Sequence, residues 1–182
     1  LPLIDGIDAV PHLTSDEVME LRELPESLIV LGVGAVGIET AQFFAGLDVP
    51  VALVGRRPVF EDVDPVISEE GEAALGADPH LTLHTVSRVS AVRRRERGVA
   101  LDVEVAGRQI TLEAEQLVVA TGRRPNVLGL GIEQVGIELS ADGRIACGPD
   151  MRSGNPAVFL AGDATGHGML LHVANQEGRV AG

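Results

Sequence analysis

A glycine-rich turn between two regular segments constrains the fold of this chain more than any other feature. The turn is Gly32-Val33-Gly34-Ala35-Val36-Gly37, and it directly follows the apolar run Leu28-Ile29-Val30-Leu31. Residues 35–45 have the apolar spacing of a helix, and Val51-Ala52-Leu53-Val54 is a second apolar run. A strand, a tight turn, a helix and a second strand within about 30 residues predict a βαβ unit with parallel strands.

The remaining segments extend this unit to an α/β fold. Three runs with period-two alternation predict an antiparallel three-stranded meander with turns near Gly98 and Gly107. The predicted elements after the βαβ unit are a helix at about 65–75, a strand at 81–85, the meander at 88–95, 99–105 and 109–112, a buried strand at 117–120, a short strand at 158–160 and a helix from about Leu170. The fold class is therefore α/β, a Rossmann-like parallel sheet with an antiparallel meander.

The three glycines of the turn suit a phosphate-binding loop. The first permits a tight turn, the second lets the backbone approach a pyrophosphate, and the third lets helix and strand pack closely. Phosphates would sit on free N–H groups at the positive end of the helix dipole. A turn of this kind can also be purely structural, but the βαβ context favours a dinucleotide site. Its predicted residues are Gly32, Gly34, Ala35, Val36 and Gly37.

The end of the second strand indicates which dinucleotide is bound. NAD-binding folds commonly carry an acid there to hold the adenosine 2′-hydroxyl. This chain has Gly55 followed by Arg56 and Arg57. A guanidinium group can bind a 2′-phosphate through charge-assisted hydrogen bonds, which an acid would repel. We therefore expect NADP(H), with NAD possible if the two arginines are only exposed surface residues beside Glu61.

Charge and composition exclude several classes of partner. The formal net charge is −13, so nucleic acid and anionic membranes are poor partners. No apolar run approaches the roughly 20 residues that cross a bilayer, and the first residues have no signal-peptide pattern. We expect a cytoplasmic protein. The single cysteine, Cys147, excludes an internal disulfide, and we expect it to be a small buried residue on a strand.

Four ordered motifs resemble the pyridine nucleotide-disulfide oxidoreductases, specifically the branch of dihydrolipoamide dehydrogenase and mercuric reductase. They are residues 24–32, the glycine turn with Ile38-Glu39, Ala120 to Asn126, and Ala161-Gly162-Asp163-Ala164. Residues 170–172 with 177–179 are similar to the dehydrogenase-like members. The resemblance covers essentially the whole chain. It implies an FAD-dependent enzyme that transfers hydride between nicotinamide and flavin, and in the whole protein on to a redox disulfide.

The resemblance also implies roles for individual residues. Arg56 would contact the 2′-phosphate, while Ala120, Gly122 and Arg123 would border the nicotinamide end. Asp163, beside Gly162, would accept hydrogen bonds from the ribityl chain of FAD. The last predicted helix would face the flavin pyrimidine ring, where its dipole stabilises negative charge on reduced flavin. The residues at that helix start are Met169, Leu170, Leu171 and His172.

Glu39 is the catalytic residue that the resemblance implies. In the family an acid at this place pairs with a lysine near flavin N5, the atom that exchanges hydride with nicotinamide. That lysine is not in this chain. From the residues alone, the preferred interpretation of Glu39 is an acid that favours the dipole in a first helical turn. A further departure is Ala35, which stands where many members have a tyrosine over the empty nicotinamide site.

The resemblance divides the chain into three parts. Residues 1–27 would be a lead-in from the FAD domain, 28–122 the NAD(P)-binding domain, and 123–182 the returning segment of the FAD domain. We expect a piece of a larger, homodimeric flavoprotein, inactive by itself. An NADH oxidase or ferredoxin reductase type without the cysteine pair is an alternative, and so is a module that binds NAD(P) without chemistry. The Gly162-Asp163 motif argues against the module.

Overall fold

The computed structural model describes residues 2–61, 63–140 and 143–182. The chain divides into two compact units, the first ending at Gly122 and the second running from Arg123 to Gly182. Residues 2–27, the expected lead-in from an FAD domain, lie in the first unit. The assignment of a cofactor to each part stays a prediction.

A four-stranded parallel sheet forms the centre of the first unit. Its strands lie in the order β3, β2, β1, β7, where the elements are β1 (Leu28–Leu31), β2 (Val51–Val54), β3 (Leu81–His84) and β7 (Gln116–Val119). Leu31 lies opposite both Val54 and Val119, so the strands end together at one edge. All four residues of β1 are buried, as expected for a strand covered on both faces.

Two helices cover one face of this sheet. They are α1 (Ala35–Ala45) and α2 (Pro65–Gly76), at the predicted places. The α1 residues Ile38, Ala41 and Phe44 share a core with Leu28 and Val30 of β1. Asp64 begins α2 by accepting the Val66 N–H at 2.9 Å, with proline as the first helical residue.

The antiparallel meander covers the other face. Its strands are β4 (Ser87–Arg94), β5 (Val99–Val105) and β6 (Arg108–Ala114). Because side chains alternate along a strand, Ile29 and Leu31 of β1 point to this face and pack with Leu101 and Val103. The predicted fold class is confirmed. The run Arg93-Arg94-Arg95 is a charged strand end, where Arg93 pairs with Asp102 and Arg95 pairs with Glu113.

The residues before β1 run beside the sheet. Leu13 donates its N–H to Leu117 O at 2.7 Å and accepts from Val119 N at 2.8 Å, so it continues the parallel pairing next to β7. The stretch after Thr14 forms only a short 3-10 helix, Glu17–Glu20. A single apolar side chain of that helix, Val18, is buried.

The second unit has little regular structure. It contains α3 (Leu171–Ala181), two 3-10 helices (Ile132–Val135 and Gly162–Thr165) and isolated bridges. Its small core holds Val127, Ile132, Ile137, Ile145 and Leu160.

Two predictions for this unit are wrong. The strand expected at 158–160 is a single bridge between Arg152 and Phe159, because no further residue pair continues the ladder. Cys147 lies outside any strand, because the bridge between Leu139 and Ile145 ends before it. Its side chain is only partly buried.

Candidate functional site

A cavity of about 660 Å³ opens at the carboxyl edge of the parallel sheet. Leu31, Val54 and Ala120 line it, as do the turns that follow β1, β2 and β7. In open α/β sheets ligands bind outside the carboxyl ends of the strands, where the strand order reverses. Here the order reverses between β1 and β7. Both the position and the volume therefore suit a bound dinucleotide.

Each of the three positions of the turn favours glycine for a different structural reason. Gly32 has φ 124°, and a Cβ there would overlap the backbone carbonyl of Ala120. A Cβ on Gly37 would overlap the carbonyl oxygen of Gly32, so this glycine is required where α1 crosses β1. A Cβ on Gly34 would meet no atom within 4 Å, and Gly34 lines the cavity. The second glycine thus leaves open space, as a pyrophosphate approach needs.

The first turn of α1 has unused hydrogen-bond donors. The first helical bond runs from Ile38 N to Gly34 O at 3.0 Å. The N–H groups of Ala35, Val36 and Gly37 precede it and have no acceptor within the helix. No side chain of the described residues caps this helix end. These donors, with the helix dipole, can bind an anion.

Three arginines line the same cavity, and they differ in their surroundings. Arg57 pairs with Glu61 at 2.8 Å, so part of its charge is neutralised. Arg56, directly after Gly55, and Arg88 on β4 also line the cavity. Within the described part of the chain, neither Arg56 nor Arg88 forms an ion pair. In a chain of net charge −13, this is a local positive site.

Ser87 links the two segments that carry Arg56 and Arg88. It is buried, and its N–H and hydroxyl donate to Gly55 O at 2.9 and 3.1 Å. The hydroxyl also lies 2.8 Å from His84 O. The preceding residue, Val86, has φ 50°, a strained conformation for a β-branched residue. Sequence reasoning missed Arg88, because strand alternation alone does not show which strand end borders the cavity.

Other predicted residues lie elsewhere. Glu39 is exposed and is the fifth residue of α1, beyond its first turn, so the dipole interpretation of Glu39 is wrong. Glu39 does not line the cavity. Gly122 does, whereas Arg123 is the first residue of the second unit and is exposed.

The residues predicted to contact flavin lie in the second unit. Gly162 has φ 71°, and a Cβ there would contact Ala174 of α3, so the 3-10 turn packs on this helix. Asp163 is exposed, as are the residues at the start of α3, and no described side chain caps that start. The exposed residues are Leu170, Leu171 and His172, with Met169 partly exposed. Their contact with flavin stays a prediction.

Comparison with known families gives a direct match. The profile described as "Pyridine nucleotide-disulphide oxidoreductase" matches residues 2–178. The chain belongs to this family. Among its relatives, a mercuric reductase from Streptomyces lividans is 38% identical over 177 residues, which cover 97% of this chain and 37% of that protein. The predicted family is confirmed.

Other members of the pyridine nucleotide-disulphide oxidoreductase family agree. A dihydrolipoyl dehydrogenase from Bacillus subtilis is 31% identical, with 93% of this chain and 36% of that protein covered. The crystal structure of LpdA from Mycobacterium tuberculosis superposes with a TM-score of 0.81 at 30% identity, covering 93% of this chain and 36% of LpdA. The chain thus spans little more than a third of the length of these relatives.

Two kinds of feature are absent from the described residues of this family member. None of their helices has the length and apolarity to cross a bilayer. No three His, Cys, Asp or Glu side chains among them meet in a group that could hold a metal ion.

Proposed function

We propose that the first unit binds NADP(H) in the cavity at the carboxyl edge of its parallel sheet. The observation that carries this proposal is the glycine turn, in which two glycines are required by close backbone contacts and the third faces open space at the cavity. The pyrophosphate would accept hydrogen bonds from the first turn of α1. The 2′-phosphate would lie at Arg56 and Arg88.

Binding of a 2′-phosphate is supported by two cations, Arg56 and Arg88, that are free of carboxylate partners within the described residues. Ser87 holds β4 against Gly55, which precedes Arg56. A phosphate between these arginines would form charge-assisted hydrogen bonds, whereas the 2′-hydroxyl of NAD would leave the two positive charges uncompensated. The expected preference is therefore for NADP(H) over NAD(H).

We further propose that the whole protein is a flavoprotein oxidoreductase, homodimeric like the enzyme that the resemblance implies. FAD would supply the acceptor for hydride from nicotinamide. In this chain Asp163 and the uncapped start of α3 would contact the flavin, Asp163 as a hydrogen-bond acceptor and the helix start as a partial positive charge. Glu39 would act near the flavin as the residue that tunes hydride transfer. The electron acceptor beyond FAD would be a redox disulfide.

Calorimetric titration of the 182-residue chain at low salt tests the nucleotide proposal. NADPH should bind more tightly than NADH, and Arg56→Ala should reduce the ratio of the two affinities by about tenfold to a hundredfold, because a hydrogen bond between charged groups contributes about 1.5–3 kcal/mol. Arg108→Ala, an exposed arginine on the meander, is the matched control and should leave the ratio unchanged.

Each contrary outcome removes a different part of the proposal. Equal affinities of the wild type for NADPH and NADH would remove the preference for NADP(H). If neither NADPH nor NADH binds, the proposal of a dinucleotide site in this cavity is wrong.

A further inference from the structure

In the second unit a cysteine contacts a histidine, and the histidine in turn contacts a buried glutamate. The proposed function uses none of these three residues. Cys147 Sγ lies 4.0 Å from His167 Nε2, and His167 Nδ1 lies 3.0 Å from Glu177 Oε1. The cysteine and the histidine are 20 residues apart in the sequence. A thiol and an imidazole oriented by a carboxylate are the parts of a metal-binding or nucleophilic site.

Glu177 determines the state of the histidine ring. Its side chain is buried, and it accepts hydrogen bonds from Gly162 N at 2.7 Å and from Thr165 Oγ1 at 3.0 Å. Nδ1 of His167 lies 3.0 Å from Oε1 of the same carboxylate. A carboxylate only accepts hydrogen bonds, so Nδ1 of His167 carries the proton. The lone pair of Nε2 is then available on the side of Cys147.

We propose that Cys147 Sγ and His167 Nε2 bind one soft monovalent cation, with Cu⁺ as the representative ion. The 4.0 Å between Sγ and Nε2 is short enough for one metal ion to bind both atoms. Soft thiolate ligands favour Cu⁺ and Zn²⁺ among the first-row ions, and the choice between these two depends on the number of ligands.

Charge balance supports a monovalent cation at this place. Binding removes the thiol proton to solvent and forms the bond between sulfur and metal, so a thiolate, a neutral imidazole and Cu⁺ make a neutral unit. The carboxylate of Glu177, hydrogen-bonded to the same imidazole, favours a positive charge at this place.

The site is also accessible and incompletely coordinated. The His167 side chain is about half exposed at 51%, and Cys147 is partly exposed, so an ion can reach both ligands. The described residues supply no third ligand. Two protein ligands suit Cu⁺ better than Zn²⁺, whose protein sites are almost always built with three or four ligands.

Anaerobic titration of the whole chain with Cu⁺ against a chromogenic Cu⁺ chelator tests the proposal. The wild type should hold one equivalent of Cu⁺. Cys147→Ser and His167→Gln should each weaken binding at least about tenfold, and Glu177→Gln should weaken it by a similar factor because the carboxylate orients the ring. His80→Gln, in the other unit and paired with Asp48, is the control and should bind as the wild type does.

Each remaining outcome decides the proposal. Wild-type affinity in His167→Gln would overturn it, since the thiol would then bind alone. Zn²⁺ that displaces Cu⁺ at equal concentration would overturn the assignment to a soft cation. X-ray absorption of the loaded wild type should show one sulfur and one nitrogen neighbour. This measurement decides the matter without a variant if His167→Gln does not fold.

Discussion

Ser87 donates both its backbone N–H and its hydroxyl to the carbonyl oxygen of Gly55, at 2.9 and 3.1 Å. This pair joins the start of the meander to the end of β2, and the next residue on each side is an arginine of the candidate site. Ser87 thus links two parts of the proposed phosphate site. The strand pattern alone does not predict this role.

Ser87→Ala should lower the free energy of unfolding by about 0.5–1.5 kcal/mol. The loss is moderate because two backbone hydrogen bonds remain in the variant. One runs from the N–H of residue 87 to Gly55 O, and the other from Gly55 N–H to His84 O at 3.0 Å. Urea denaturation measures this change, and NADPH affinity should fall with it. Ser90→Ala on the same strand, where the serine is exposed, should change stability by less than about 0.5 kcal/mol. Equal effects of the two substitutions would contradict the linking role of Ser87.

Two glycines of the turn should respond to alanine in opposite ways. Gly34→Ala should leave stability within about 0.5 kcal/mol, because the added methyl group meets no atom within 4 Å and φ is −77°. It should nevertheless reduce NADPH affinity at least tenfold, since the methyl group occupies the path of the pyrophosphate.

Gly37→Ala should instead destabilise the fold by about 1–3 kcal/mol or more, because its Cβ overlaps backbone that cannot move freely. Thermal unfolding and calorimetry on both variants separate the two roles. A Gly34→Ala variant with wild-type NADPH affinity would show that the dinucleotide does not approach this turn.

Arg88 and Arg57 should differ as determinants of NADP preference. Arg88→Ala should reduce the ratio of NADPH to NADH affinity by about tenfold, comparable to one charge-assisted hydrogen bond. Arg57→Ala should have a smaller effect, because Glu61 already pairs with that guanidinium. Calorimetry at low and high salt measures both. A larger loss from Arg57→Ala would mean that Arg57 gives up Glu61 to bind the phosphate.

Protonation of His84 should destabilise the first unit at low pH. Burial lowers the pKa of His84 below its ordinary value of 6.5. The unfolded chain therefore binds a proton more readily, so the contribution of His84 is complete above pH 6.5 and decreases as the pH falls below that value. His84→Gln should make stability fall less steeply between about pH 7.5 and 5.5, as measured by urea denaturation. A His84→Gln variant whose stability falls as steeply as that of the wild type over this range would contradict the role of His84.

The sequence predicts the first unit better than the second for a physical reason. Apolar runs such as residues 28–31 are buried on both faces, and period-two runs such as 99–105 are strands with one buried face. In the second unit, residues 158–160 have a strand-like composition, but only one residue pair forms a bridge. Sequence composition does not show whether a partner strand is available.

The same limit applies to side chains that meet only in the fold. The glycine turn is local, so its roles can be inferred from six consecutive residues. Arg88 reaches the cavity through the pairing of Ser87 with Gly55, which are 32 residues apart. Cys147 and His167 meet across a loop and a 3-10 turn. No sequence periodicity predicts either arrangement.

Flavin content is the last test. The proposed flavin contacts of this chain are Asp163 and the start of α3, and its 182 residues contain a single GxGxxG turn, which the dinucleotide proposal already uses. A large cofactor needs most of its surface enclosed to bind tightly. The start of α3 is open, with Leu170 55% and Leu171 80% exposed, whereas Leu160 is buried at 6% in the core of the second unit. We therefore expect the purified chain to be colourless, and flavin absorbance of the protein after gel filtration measures this. Stoichiometric absorbance of bound flavin would show that these residues form a complete site.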